Sequence, residues 1–177
     1  SSSAASDVYK RQGYAVVTNI ETGLAEYLPM KNMRRDIEAV RASASMPLVS
    51  RPVEINGKLY LDGGLADSIP LLHAVTDGCR KNVVVMTKEV GYRRVPSKHL
   101  ELIKARYAKY PKVYERMANR AAAYNQQLDY LEAELKNGTA FLIQPTQMKW
   151  DASKKTGKSC GRFMKKDIRK QRAVRKS

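Results

Sequence analysis

The chain has 177 residues, 43% of them apolar, and a formal net charge of +16. That length suits one ordinary domain or a piece of a larger one, and that apolar share is enough for a packed core. It excludes a membrane-spanning helix, because the longest apolar cluster, Val83-Val84-Val85-Met86, falls far short of the roughly 18 residues a span requires. The first residues lack the basic-then-apolar pattern of a signal peptide, and Cys79 and Cys160 form no spaced metal or disulfide pattern. A reducing, cytoplasmic setting is the expectation, with both cysteines as bystanders.

The charge is unevenly placed. Residues 149–177 hold twelve Lys/Arg against two Asp, so this segment supplies ten of the sixteen net positive charges. It has two distant aromatics, Trp150 and Phe163, and no heptads, zinc spacing or amphipathic period. A solvated, partly disordered tail is the plainer reading. A dedicated arm for nucleic acid or anionic membrane is the other.

The opposite end begins "SSSAASDVYKRQ". Back-translated, Ser2 to Gln12 fits the in-frame reading of a transposase sequencing-library adapter, and residues 1–12 are therefore expected to be non-native. On that expectation the chain is a fragment whose gene continues upstream of Gly13.

From Gly13 the elements follow in order. "YAVVTNIETGLAEYL" predicts two strands joined at Glu21-Thr22-Gly23, with glycine at a turn position. "KNMRRDIEAVRASAS" places Met33, Ile37, Val40 and Ala44 at helical spacing with charges opposite, which predicts a short amphipathic helix. After the breaks at Pro47 and Pro52, "RPVEINGKLYLDGG" predicts a second hairpin about Asn56-Gly57. Asp67 or Ser68 suits a helix N-cap, Pro70 an early helical position and Gly78 a helix end. "NVVVMTKE" predicts a buried parallel strand, so that strand, helix and strand form a crossover unit in an α/β core. Helices are then predicted near Lys98–Tyr110 and over Pro111–Lys136, closed by Asn137-Gly138, followed by a last strand in "AFLIQP".

The chemistry collects at "KLYLDGGLADSIP". In an open α/β sheet, functional groups gather where loops leave the carboxyl ends of strands, and Asp62 occupies such a place. Gly63 and Gly64 let the backbone turn sharply and leave the carboxylate uncrowded, as suits a general base. The tripeptide alone favours a commoner explanation, an aspartate capping its own turn.

The wider stretch "RASASMPLVSRPVEINGKLYLDGGLADSIPLLHA" resembles the patatin-like phospholipase family. The residues that carry the likeness are Ala42-Ser43 to Pro47, Pro52-Val53 and Tyr60 to Gly64, ending at Pro70. A looser likeness runs from "YAVVTNIETGLAEYL" to "FLIQP" and looks nearest to bacterial patatin-family proteins. The resemblance implies a three-layer α/β/α fold around a central, mostly parallel sheet. It also implies a lipid acyl hydrolase working through a Ser–Asp dyad, with Asp62 of the motif Asp62-Gly63-Gly64 as general base. In that chemistry the serine attacks an ester carbonyl, the aspartate accepts its proton, and amides of a Gly-rich loop hold the oxyanion. With no histidine between them, carboxylate and serine must lie within direct hydrogen-bond reach.

The chain also departs from the family pattern. The nucleophile's Gly-x-Ser-x-Gly elbow and the Gly-rich oxyanion loop both precede the aspartate in the family, and neither occurs here. Ser43, Ser45, Ser50, Ser68 and Ser97 lack the flanking glycines, so none inherits the nucleophile's role. The expectation is a C-terminal fragment, residues 13–147, that carries the base without its serine and is inactive alone. Beyond Gln147 the basic segment 148–177 departs again, through divergence or a reading-frame error, although "GRFMKKDIRK" keeps a faint similarity.

His73 and His99 read as ordinary surface or half-buried histidines. Tyr107, Tyr110, Tyr114, Tyr124 and Tyr130 with Arg106, Arg116 and Arg120 suit either a lipid-facing surface or an amphipathic helix with half-buried tyrosines and solvated arginines. The latter is the plainer. No cofactor or metal is expected. The expected partners are a lipid or other ester substrate and transient contact with a membrane surface, with no specific nucleic acid. The competing reading is a non-enzymatic basic module whose tail binds polyanions.

Overall fold

The computed structural model describes residues 13–32 and 34–145. Its elements run β1 (Gly13–Asn19), β2 (Ala25–Met30), α1 (Ile37–Ser43), β3 (Val53–Ile55), β4 (Lys58–Asp62), a 3-10 turn at Gly63–Leu65, α2 (Leu71–Thr76), β5 (Asn82–Val85), α3 (Leu100–Arg106), α4 (Pro111–Lys136) and β6 (Ala140–Ile143). Two compact units emerge. Of the described residues, one comprises those from Gly13 to Pro70 together with Arg94–Gln127; the other comprises Leu71–Arg93 with residues 128–145.

The first unit is built on a four-stranded sheet of order β2-β1-β4-β3. Both predicted hairpins are present. In the β1–β2 turn the buried Asn19 uses its Oδ1 to accept the N–H groups of Glu21 (2.9 Å) and Thr22 (3.3 Å), while its Nδ2 donates to Glu26 (2.9 Å). The β3–β4 turn has φ of 51° at Asn56 and 75° at Gly57, the pair of positive values that a two-residue type I′ turn needs. This turn fixes the register Val53↔Tyr60 and Ile55↔Lys58, and so the direction in which β4 delivers Asp62.

Alternation along β4 divides the core between two faces. Tyr60 packs with Val17, Val53 and Ala42 of α1. Leu61 points the other way, into a cluster with Ile20, Leu65, Ile103, Tyr107, Val113 and Met117, which brings α3 and the first half of α4 onto that side. Helix α4 buries Val113, Met117, Ala121 and Tyr124, residues three or four apart that make one stripe.

The second unit contains α2 and a two-stranded sheet, β5 beside β6 in parallel, with Asn82↔Ala140 through Val85↔Ile143 in register. Helix α4 ends there with Gly138 N–H donating to Leu135 (3.2 Å) and Thr139 N–H to Glu134 (3.1 Å), the paired bonds of a Schellman cap.

Three expectations are corrected. The four-stranded sheet is antiparallel throughout, and β5 pairs in parallel with β6 rather than joining β4 through a crossover, so the described residues show one parallel pair and not the expected central, mostly parallel sheet. In α1 the buried residues are Ala39 and Ala42, whereas Ile37 is 51% exposed; Met33 falls outside the described residues. Strand β5 is not buried on both faces, with Val83 and Val85 more than 60% exposed. Residues 1–12 and the basic segment from 148 onward also lie outside the described residues.

Candidate active site

The end of β4 meets the middle of β1. Val17 pairs with Asp62, and the fully buried Thr18 donates its hydroxyl to the Asp62 carbonyl at 2.8 Å. The Asp62 N–H donates to the Ser45 carbonyl at 2.8 Å. The aspartate backbone is thus held from two directions before the chain turns.

The turn itself depends on glycine for a spatial reason. A Cβ on Gly63 would sit 2.2 Å from the Val16 carbonyl oxygen and 2.5 Å from its carbon. Both are backbone atoms of a paired strand, so they cannot swing aside. Gly63 lets the chain cross over β1 at contact distance, which places the next N–H, that of Gly64, under the carboxylate. Gly64 N–H donates to Asp62 Oδ1 at 2.9 Å. The commoner reading of the tripeptide is therefore correct as far as it goes, since Asp62 does cap its own turn. Capping occupies one lone pair of one oxygen and leaves acceptor capacity on both.

Helix α4 supplies the rest. The Arg120 Nε–H donates to the Gly64 carbonyl at 2.8 Å, and its Nη2 lies 3.5 Å from Asp62 Oδ2. The side chains are 16% and 19% exposed, so this pair is much less screened than a surface bridge. Seven residues along the helix, Gln127 donates to Asp67 Oδ1 (2.7 Å) while its Oε1 accepts the N–H groups of Ser68 (3.2 Å) and Ile69 (3.0 Å). Tyr27 of β2 donates to the other Asp67 oxygen at 2.5 Å.

These contacts revise several readings. Asp67 accepts from Tyr27 and Gln127, and Ser68 donates its hydroxyl to the Gly64 carbonyl at 2.8 Å, so both side chains are engaged in the turn. Ser45, buried beneath the turn, donates to the Arg41 carbonyl at 2.7 Å. Ser45 and Ser68 thus both donate their hydroxyls to backbone carbonyls. Arg120 is not a solvated arginine, whereas Tyr107 and Tyr124 are core residues, as an amphipathic helix requires. His73 of α2 lies 3.3 Å from Asp77, just past the helix end, and His99 precedes α3 with its N–H on Ser97 Oγ at 3.3 Å. Among the described residues no group of three or more His, Cys, Asp or Glu could hold a metal ion, and no helix is long and apolar enough to cross a membrane.

Behind the turn, on the Tyr60 face, the Tyr60 hydroxyl donates to Glu26 Oε2 at 2.7 Å, with Asn19 and Lys58 on the other oxygen. Burial and the adjacent Glu26 carboxylate push the Tyr60 phenol up to about 12. Burial acts to raise the Glu26 carboxyl, but the hydrogen bonds from Asn19 and Tyr60 and the charge of Lys58 outweigh it and hold that carboxyl below its usual range.

The carboxylate is thus fixed at a strand end by a glycine turn, beside a guanidinium, with acceptor capacity left on both oxygens. Residues 31–75, which include the whole turn, match the family model of patatin-like phospholipase, so the motif-bearing part of the chain is patatin-like and points to a family of lipid hydrolases. Residues 110–165 match a second family model, a domain of unknown function (DUF6363), which begins at the start of α4 and continues into the basic segment. No curated protein matches the chain.

Proposed function

We propose that Asp62 is the general base of a Ser–Asp dyad in a lipid acyl hydrolase, and that this chain carries the base without the nucleophile. The observation that carries this reading is the Asp62 carboxylate itself. It stands at the end of β4 within the patatin-like match, oriented by the Gly64 N–H and retaining acceptor capacity toward a neighbouring hydroxyl. In the dyad, the serine Oγ attacks the ester carbonyl carbon while its proton passes to the Asp62 carboxylate; the carboxylate then returns a proton to the departing alcohol. The commitment of Ser45 and Ser68 to carbonyl acceptors supports a nucleophile supplied from outside this chain. The substrate is a lipid or other carboxylic ester, reached in a cytoplasmic setting with transient contact at a membrane surface.

The 177-residue chain is expected to leave p-nitrophenyl esters unhydrolysed. Joined behind its native upstream coding sequence, it is expected to hydrolyse them, and Asp62→Asn is expected to reduce kcat by at least about a thousandfold, as loss of a base acting directly on the nucleophile would. A joined protein that is folded yet inert, or an Asp62→Asn variant that retains activity, overturns the reading. Steeply salt-dependent binding of a polyanion by the present chain, with no esterase activity after joining, would favour a basic binding module instead.

A further inference from the structure

We infer that Arg120 and Gln127 are positioning residues that hold the Asp62–Ile69 turn in one geometry, and that orienting the catalytic carboxylate is thus a task of the segment matching the domain of unknown function. The inference rests on the dyad reading for its catalytic meaning, but its physical content stands apart. Arg120 joins the two atoms whose relative position sets the direction of the carboxylate. Its Nε–H takes the Gly64 carbonyl, and its Nη2 stands beside Asp62 Oδ2. The carbonyl and N–H of Gly64 lie in successive peptide planes of the 3-10 turn that the Ala66 N–H closes on the Gly63 carbonyl (3.1 Å), so an anchor on the carbonyl restrains the turn whose N–H carries Asp62 Oδ1. One guanidinium thereby braces both carboxylate oxygens, one directly and one through the turn. The planar fork of arginine fits this task, whereas the point charge of lysine does not reach two acceptors in fixed geometry.

Gln127 holds the far end. Its amide satisfies two consecutive backbone N–H groups, Ser68 and Ile69, and donates to Asp67, so the chain cannot rotate between residues 67 and 69 without breaking three hydrogen bonds. Both side chains flank the buried stripe of α4, which is anchored by Val113, Met117 and Tyr124. The rigid helix therefore transmits the position of the core to the turn. A catalytic carboxylate misplaced by an ångström costs orders of magnitude in rate, so a device of this kind has a large lever.

The first test uses the chain as it stands. Three-bond couplings are expected to show Asp62 in a single χ1 rotamer, and Arg120→Gln is expected to average it between rotamers. Arg120→Gln should also raise hydrogen exchange at Gly64 at least tenfold, and Gln127→Ala should do the same at Ser68 and Ile69. The Val17 and Leu61 amides should stay protected in both. If Arg120→Gln does not fold, Arg120→Lys, which keeps the charge and loses the fork, provides the same readout. An Asp62 rotamer that stays single in the folded variants overturns the inference. In the joined, hydrolysis-competent protein, Arg120→Ala is expected to lower kcat at least tenfold with KM within twofold, and added guanidinium is expected to restore part of it. Averaged rotamers with unchanged kcat would make the contacts merely structural and also overturn the inference, while leaving Asp62 as the base. A joined protein with no activity at all would count against the dyad, and the rotamer and exchange results would still decide whether the helix holds the turn.

Discussion

At the scale of single residues, the turn is governed by the clearance over Val16. Gly63→Ala places a methyl 2.2 Å from the carbonyl of Val16, a β1 residue paired with Tyr27 of β2. Relief requires moving two strands, so a loss of about 3 kcal/mol is expected, read as a lowered urea midpoint with unchanged slope. Gly64→Ala should cost less, because its Cβ would meet side-chain atoms at 3.3 Å or more. The pair formed by buried Tyr60 and half-buried Glu26 gives a pH signature with two limbs. Glu26 has a folded carboxyl held below its ordinary value, so its contribution is full above about 4.5 and is lost as pH falls below that. Tyr60 has a folded phenol raised from about 10 to about 12, so its contribution is full below pH 10 and is lost as pH rises through that window. Urea midpoints measured across pH should fall at both ends; Tyr60→Phe should flatten the alkaline limb, and Glu26→Gln the acid limb. Asp62 was legible in the sequence because its neighbours in the chain form a motif. Arg120 was not, since nothing local distinguishes an arginine that meets a partner 56 residues away from one that meets water.

At the scale of elements, legibility follows how local the determining chemistry is. The Asn56-Gly57 hairpin, the Pro111 start of α4 and the Gly138 end were all readable, because each is set by the backbone preferences of residues on the spot. The face of α1 was not. A seven-residue helix offers few positions to a periodicity argument, and packing of Ala42 against Val17, Val53 and Tyr60 at close range turned a small residue inward in place of larger neighbours. Strand β5 was located correctly by its β-branched run, but its burial was misjudged, since that run is equally compatible with a strand that has one exposed side. A two-stranded sheet is marginal in isolation. The amides of β5 and β6 are accordingly expected to exchange at least tenfold faster than the central amides of β1 and β4, by site-resolved hydrogen exchange. Equal protection in the two sheets would show that the smaller one has support beyond its own pairing.

At the scale of the whole molecule, the sequence conveyed the mixture of helix and strand but not the pairing. Alternation and turn residues say that a segment is extended; they do not say which neighbour it finds. The crossover expected between β4 and β5 was a default for strand, helix and strand in succession, and it gave way because β4 already has β1 on one side and β3 on the other. The two family matches divide the chain in a similar spirit, one ending at residue 75 and the other starting at 110, yet the contacts of Arg120 and Gln127 stitch residues of the second to residues of the first.

That stitching has a consequence in time. Gln127 is synthesised 59 residues after the Ser68 whose N–H it accepts, and chains are elongated at about 5–20 residues per second. For several seconds of synthesis the segment from Asp62 to Ile69 therefore exists without the helix that defines its shape. The Asp62 carboxylate acquires its orientation late, after the strand that bears it has been made and only once α4 has been added.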